Sequence, residues 1–240
     1  MQLESSDSEH RSMMQDTQPS LIETMKADTA GMIALLPYHL NRLKHSAQAL
    51  GYAYPGEDAV IAAIKAALGQ ASTASTNLTD TRVRLLLSPV GHLDIQTAVL
   101  PALQGMPWIA LTRLRLDSAE RFLQHKTTHR PWYDAATQWL AQHPEYFDLI
   151  FLNEKGELCE GSRSNIYVLR NGVWLTPPLA SGLLGGVLRT QLLETHQAKE
   201  AILTPSDLTA DKASIRLSNA LRGWFDVQMS PSVLPGHFLP

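Results

Sequence analysis

The sequence predicts a mixed α/β protein of the α+β type, built as two domains. Three observations point there. The chain has 240 residues, more than the roughly 150 of a typical domain and enough for two modest cores. Its first half mixes runs of helical period with β-type runs, and from Asp148 onward the texture changes to short apolar strands joined by polar turns.

The elements follow in order. Residues 1–18 are polar and aperiodic and are expected to form a flexible arm outside the fold. An apolar pair, Leu21 and Ile22, leads into a helix in which Leu36, Leu40, Leu43, Ala47 and Leu50 recur at helical spacing, and Gly51 ends it. The acidic residues Glu57 and Asp58 start a second helix that runs to Gly69, and Ser72 to Asn77 reads as a polar loop. Strands are expected over residues 83–88, 92–99 and 108–116. Asp117-Ser118 with Glu120 opens a short helical or turn segment reaching His125, and Pro131 suits the first position of a helix through His143.

After Asp148 two hairpins are expected, one turning at Glu154 to Gly156 and one at Asn171-Gly172, a pair suited to a tight two-residue turn. A glycine-rich stretch then precedes a helix over residues 187–198, and two strands close the chain at 213–218 and 223–229. The expected division is a smaller domain over 19–112, a linker over 113–120 and a larger domain over 121–240 that carries Lys126.

Composition narrows the function classes. A formal net charge of -3 offers no basic face for nucleic acid. No run approaches the roughly 20 apolar residues of a membrane span. The single cysteine, Cys159, excludes an internal disulfide and a cysteine-rich zinc site, so a reducing compartment, the cytoplasm by default, is expected. It reads as a small buried filler.

Four features bear on chemistry. Gly182, Gly185 and Gly186 precede a helix whose free N–H groups suit a phosphate, although the stretch matches neither the P-loop nor the dinucleotide pattern and such a cluster alone often marks a plain turn. His125 and His129 have the spacing of zinc ligands on a helix. Lys126 stands where the zinc-hydrolase pattern needs Glu, so no metal is expected. A lysine is ordinarily a surface charge, but Lys126 sits between two histidines and beside two threonines, where a partly buried amine can become nucleophilic. Glu160, at a strand end beside Gly161, is either solvated or faces a cationic ring, and spacing does not choose between them.

Six collinear motifs then carry a resemblance: L-I-E-T at Leu21 to Thr24, H-L-N-R-L at His39 to Leu43, H-K-T-T-H-R at His125 to Arg130, L-N-E-K-G-E-L-C-E-G-S-R-S-N at Leu152 to Asn165, L-T-P-P-L-A-S-G-L-L-G-G-V-L-R at Leu175 to Arg189, and S-N-A-L-R-G at Ser218 to Gly223. Together they resemble the class IV aminotransferase family, whose members use pyridoxal 5'-phosphate on a two-domain fold of type IV, like that of D-amino-acid aminotransferase. The resemblance implies that Lys126 attaches the cofactor and shuttles protons, and that Glu160 faces the pyridine nitrogen. It gives Arg42 the phosphate, together with the backbone at Val187 and Leu188 and with Ser218 and Asn219. Ser164 and Asn165 would support the loop carrying Glu160. Glu23, Thr24, His129 and Arg130 fall on the substrate side by position alone.

Within the family, H-K-T-T-x-R-x-x-Y-D at His125 to Asp134, with L-I-E-T-M and N-A-L-R-G, looks most like the aminodeoxychorismate lyase branch. The implied reaction releases pyruvate from 4-amino-4-deoxychorismate and leaves 4-aminobenzoate for folate synthesis. The alternatives are an aminotransferase of branched-chain or D-amino acids and a non-catalytic partner domain of aminodeoxychorismate synthase. A homodimer is implied, with a synthase subunit as a second candidate partner. The chain departs from the family in two places. A polar arm stands where a strand and a glycine-aspartate turn usually precede L-I-E-T, and Pro131 stands where branched-chain enzymes place an aromatic residue near the cofactor.

Overall fold

The computed structural model describes residues 18–74, 79–209 and 213–230. The first 17 residues of the expected arm, and Ser75 to Asn77 of the expected loop, lie outside the described residues. The chain divides into two compact units: the first holds the residues up to Pro101 together with Lys126–His129, and the second holds Ala102–His125 and the residues from Arg130 onward.

In the first unit, β1 (Leu21–Ala27), β2 (Thr81–Leu87) and β3 (Leu93–Val99) form an antiparallel sheet in that order. Helices α1 (Leu36–Leu50) and α2 (Glu57–Ala74) belong to the same unit. Strand alternation sets the core, because every second residue of a strand faces the same side. Leu21, Met25 and Ala27 of β1 join Val83, Leu85 and Leu87 of β2, and Leu40, Leu43 and Ala47 of α1 pack against them. The same alternation turns Glu23 toward that side, paired in register with Leu85. Gly51 ends α1 in the left-handed conformation, with φ at 73°, and its N–H reaches back to Ala47 and Gln48.

In the second unit, β4 (Trp108–Leu116), β5 (Tyr146–Asn153), β6 (Leu158–Gly161), β7 (Asn165–Arg170), β8 (Val173–Thr176), β9 (Lys199–Glu200), β10 (Ile215–Asn219) and β11 (Gly223–Met229) form one sheet. The order is β10-β11-β4-β5-β6-β7-β8-β9, and an extra pairing of β10 with β7 closes six of the strands into a ring. Side chains alternate across it. Ile109, Leu111, Ile150 and Leu152 enter one core with Ile166, Val168 and Leu217. Ala110, Leu149 and Phe151 enter the other with Tyr133, Ala136 and Leu140. Helix α3 (Asp134–Gln142) supplies Ala136 and Leu140, α4 (Val187–Glu194) follows the glycine-rich stretch, and α5 (Pro205–Thr209) precedes β10. Among the described residues no helix is long and apolar enough to cross a membrane.

Both expected hairpins are present. Asn171 and Gly172, with φ of 52° and 75°, join β7 to β8 across the pair Arg170 and Val173, as a two-residue turn with both φ positive requires. Other expectations need correction. Residues 113–116, read both as the end of the 108–116 strand and as the start of a linker, belong to β4, whose outer end still pairs with β5. Helix α2 runs through Gly69 to Ala74, since one glycine costs only about 1 kcal/mol inside a helix. Helix α4 stops at Glu194 rather than 198, and His196 adopts a positive φ of 57°. Strand β1, the two-residue β9 and the short α5 were not expected at all. The segment Lys126–His129 falls in the first unit, because its backbone bonds to β1: Ile22 donates to the carbonyl of Lys126 at 2.7 Å and Thr128 donates to that of Ser20 at 2.8 Å.

Candidate active site

The residues expected to carry function fall into two groups, one in each unit. The first surrounds Lys126. The H-K-T-T-H segment is extended rather than helical: Leu21 and Thr127 form an antiparallel bridge, and Ser20 donates its N–H to Thr128 Oγ1 at 3.0 Å. Two adjacent β-branched residues favour that conformation. The backbone of Lys126 is therefore fixed by β1 while its side chain stays half-buried. His125 is buried and His129 exposed, and the described residues hold no group of three histidine, cysteine, aspartate or glutamate side chains that suits a metal.

Close by in sequence to Lys126's β1 partner lies Glu23, only 2% exposed. Arg42 grips it with two parallel bonds, Nε to Oε1 at 2.8 Å and Nη2 to Oε2 at 2.6 Å. His39 Nδ1 lies 2.5 Å from the same Oε2. His39 and Arg42 are three residues apart on α1, the spacing that puts two side chains on one helix face. Burial opposes ionisation of Glu23, but the Arg42 guanidinium and the two hydrogen-bonding side chains outweigh it and hold the carboxyl at about 2. Burial pushes the His39 imidazole below its ordinary value, and Arg42 and Lys126 add to this against the opposing pull of Glu23. A neutral ring facing an ionised carboxylate must donate from Nδ1. That leaves Nε2 as a buried acceptor with no hydrogen-bond partner. Glu23 was placed on the substrate side by position; here both of its oxygens are taken by α1. Thr24 points to the opposite face of β1 and is partly exposed.

A carboxylate whose folded pKa lies below its unfolded value stabilises the protein above the unfolded value and loses that contribution as pH falls toward the folded one. A drop from 4.5 to about 2 corresponds to about 3 kcal/mol. The stability difference between the wild type and Glu23→Gln, measured by urea unfolding, is expected to shrink by about that amount between pH 6 and pH 2. A difference independent of pH would show that Glu23 is not held as described.

The second group surrounds Glu160, which is 4% exposed at the end of β6. Its Oε1 accepts from the Tyr133 hydroxyl at 2.7 Å and from the Leu184 N–H at 3.1 Å, and its Oε2 accepts from Asn165 Nδ2 at 3.2 Å. Burial, then the neighbouring Glu160, drives the Tyr133 phenol well above its usual value, so it stays a donor. Arg130 lies 4.5 Å over the Tyr133 ring. The G-S-R-S turn that follows Glu160 wraps the fully buried Asp148, which accepts from Ser162 N–H and Oγ at 2.8 and 2.7 Å, from Arg163 N–H at 3.1 Å and from Ser164 Oγ at 2.6 Å. A Cβ at Gly161 would stand 2.2 Å from Asp148 Oδ2, so glycine is what lets the turn close. Ser164 thus supports the Glu160 loop through Asp148, and Asn165 supports Glu160 itself.

Helix α4 begins at Gly186, which has no side chain to cap the first turn, so the N–H groups of Val187 and Leu188 belong to an uncapped helix start. A Cβ at Gly186 would meet Asn165 Oδ1 at 2.0 Å, so this start is packed against the residue that holds Glu160. Ser218 lies opposite Asn165 in the β10–β7 register, its hydroxyl 2.8 Å from that of Tyr167. Asn219 donates to the Arg163 carbonyl at 3.2 Å, and its Oδ1 accepts from Leu221 and Arg222 N–H. His39, Tyr133, Asp148 and the Leu184 N–H had no assigned role. The first two lie inside motifs already noted, and their partners became visible only with the strand register. Nothing in the sequence ties Asp148 to a turn that begins beyond β6.

Each unit, taken by itself, offers donors or acceptors that suit a chemical group. A buried carboxylate held as an acceptor suits a protonated ring nitrogen, an uncapped helix start and an arginine fork suit a phosphate, and a half-buried lysine suits an aldehyde. The chain is matched by the model of amino-transferase class IV over residues 20–229. It is 33% identical over 195 residues, 79% of its own length and 80% of the relative's, to a Schizosaccharomyces pombe protein named "Putative aminodeoxychorismate lyase". A Mesorhizobium loti structure titled "Putative amino-acid aminotransferase" is 32% identical, with a TM-score of 0.78 over 89% of this chain and 100% of that one. A Mycobacterium tuberculosis structure titled "A hypothetical aminotransferase", in its PLP-bound form, shares the fold, at 22% identity and a TM-score of 0.75 over 90% of this chain and 83% of that one. Matched over residues 20–229, nearly its whole described length, the chain belongs to the class IV aminotransferase family of pyridoxal-phosphate-dependent enzymes.

Proposed function

We propose that the protein is a lyase that releases pyruvate from 4-amino-4-deoxychorismate and leaves 4-aminobenzoate. The observation that carries the cofactor is Glu160, a buried carboxylate with three donors on it and a helix start packed beside its partner Asn165. Elimination is favoured over transfer by the likeness to the Schizosaccharomyces pombe protein named "Putative aminodeoxychorismate lyase", which spans four-fifths of that protein. When bound, pyridoxal 5'-phosphate supplies an electron sink for the charge left on the substrate carbon.

The residues of the chain divide the remaining work. Glu160 would face the ring nitrogen and favour its protonated form. Arg42, the N–H groups of Val187 and Leu188, and Ser218 with Asn219 would hold the phosphate. Lys126 Nζ would anchor the cofactor, and as a free amine it would take the proton from the substrate carbon that bears the amino group. Cleavage of the bond to the pyruvyl oxygen then gives the enol of pyruvate, which gains a proton, while the six-membered ring becomes aromatic. Proton transfer by a positioned amine is worth about 10²–10⁴-fold. Arg130 would meet a substrate carboxylate, with Thr24 and His129 beside the same substrate. A homodimer is proposed as the working assembly, with a synthase subunit as a further partner.

The second reading, an amino-acid aminotransferase, is favoured by the 32% identity to the Mesorhizobium loti protein along its full length. A panel of L- and D-amino acids separates the two. A lyase keeps the absorbance of the cofactor's aldehyde form when mixed with them. An aminotransferase loses it with its own donor and regains it on addition of a 2-keto acid.

A further inference from the structure

We propose that Glu23 is a positioning residue: one buried carboxylate that fixes both the plane of the Arg42 guanidinium and the tautomer of His39. The inference rests on the reading above, in which Arg42 holds the cofactor's phosphate.

Position 23 lies on the core-facing side of β1, between Leu21 and Met25, where an apolar residue would be the ordinary occupant. An ion pair buried in such a place is often no more stabilising than apolar side chains of the same volume, so its presence points to a use other than stability. The geometry names that use. Glu23 takes Arg42 along the Nε/Nη2 edge with two parallel bonds, which sets the plane of all five N–H donors and not merely the place of a charge. Oε2, which accepts from Arg42 Nη2, is also the oxygen 2.5 Å from His39 Nδ1, so the carboxylate cannot turn without breaking bonds to two residues. His39 is 1% exposed, and its Nε2 has no hydrogen-bond partner. The ring is therefore committed through Nδ1 to Glu23, as a brace for the carboxylate. His39 and Arg42, one turn apart on α1, close on Glu23 as a single unit that would meet a phosphate with its donors already aligned.

The full-length chain, stripped of cofactor, tests this with two probes that differ only in the phosphate: pyridoxal 5'-phosphate and pyridoxal, their dissociation constants read by absorbance. The wild type is expected to prefer the phosphorylated probe. Glu23→Gln is expected to weaken its binding about tenfold, the usual size of losing a residue that orients a ligand-binding side chain, and to leave pyridoxal unchanged. The unchanged pyridoxal value also reports that the variant is folded. Arg42→Lys keeps the charge but has no fork for Glu23 to grip, so it is expected to lose the preference to a similar degree, and it carries the test alone if Glu23→Gln does not fold. Unchanged or tighter phosphate-probe binding in Glu23→Gln, or a full preference in Arg42→Lys, would overturn the proposal. Arg42→Ala separates the two levels: if it keeps the preference, the assignment of the phosphate to Arg42 fails instead.

Discussion

Replacing Lys126 by alanine is expected to lower turnover by about 10³-fold or more, because the proposed function gives its amine two tasks, attachment of the cofactor and movement of the substrate proton. The fold should survive the change. What Lys126 contributes to the first unit is its backbone carbonyl, which accepts from Ile22 at 2.7 Å, and alanine keeps that bond. The side chain is only half-buried, so little apolar area is lost. The checks are kcat with saturating cofactor, the visible absorbance of the protein-bound cofactor, which should disappear, and the thermal midpoint, which should move little. A variant that kept both the absorbance and the turnover would place the reactive amine elsewhere.

Glu160→Gln is expected to lower kcat by about 10²-fold or more while leaving the cofactor attached. Two effects act in the same direction. The negative charge that would face the ring nitrogen is gone, so the protonated ring is no longer favoured and the electron sink is weaker. The amide also fits the site poorly. Both carboxylate oxygens accept hydrogen bonds, from Tyr133 and Leu184 on one side and from Asn165 on the other, so an NH₂ group at either place faces a donor. Because Lys126 is untouched, attachment of the cofactor should persist, which separates this variant from Lys126→Ala. A kcat within twofold of the wild type would show that Glu160 does not face the ring.

Much of the second unit could be read in advance because its rules are local. Asn171-Gly172 imposes a tight turn, Glu154 to Gly156 another, and the apolar runs of β4 and β5 show through. The first unit hid its first strand. Strand β1 carries Glu23 on the buried face and Lys26 on the exposed one, so the apolar alternation that announces a strand is broken by the residue that binds Arg42 and His39. Local patterns fail most where a side chain is kept for something other than packing. Residues 113–116 carried two readings, as the end of a strand and as the start of a linker, and the strand holds, paired with β5 at Arg115 and Leu116. The placement of Lys126 with β1, the partners of Glu160 and the turn around Asp148 all depend on contacts between residues far apart in sequence, which spacing does not encode. The motifs gave roles to Arg42 and Glu160, but not to the His39, Tyr133 and Leu184 groups that share or hold their hydrogen bonds.

The most direct measurement is of products. The cofactor-loaded protein is incubated with 4-amino-4-deoxychorismate and no added keto acid, and 4-aminobenzoate and pyruvate are quantified together. Equal amounts of the two, formed catalytically and lost in Lys126→Ala, are the predicted result. Absence of both products, with transfer of an amino group from an amino acid to a 2-keto acid by the same preparation, would contradict the lyase and establish an aminotransferase.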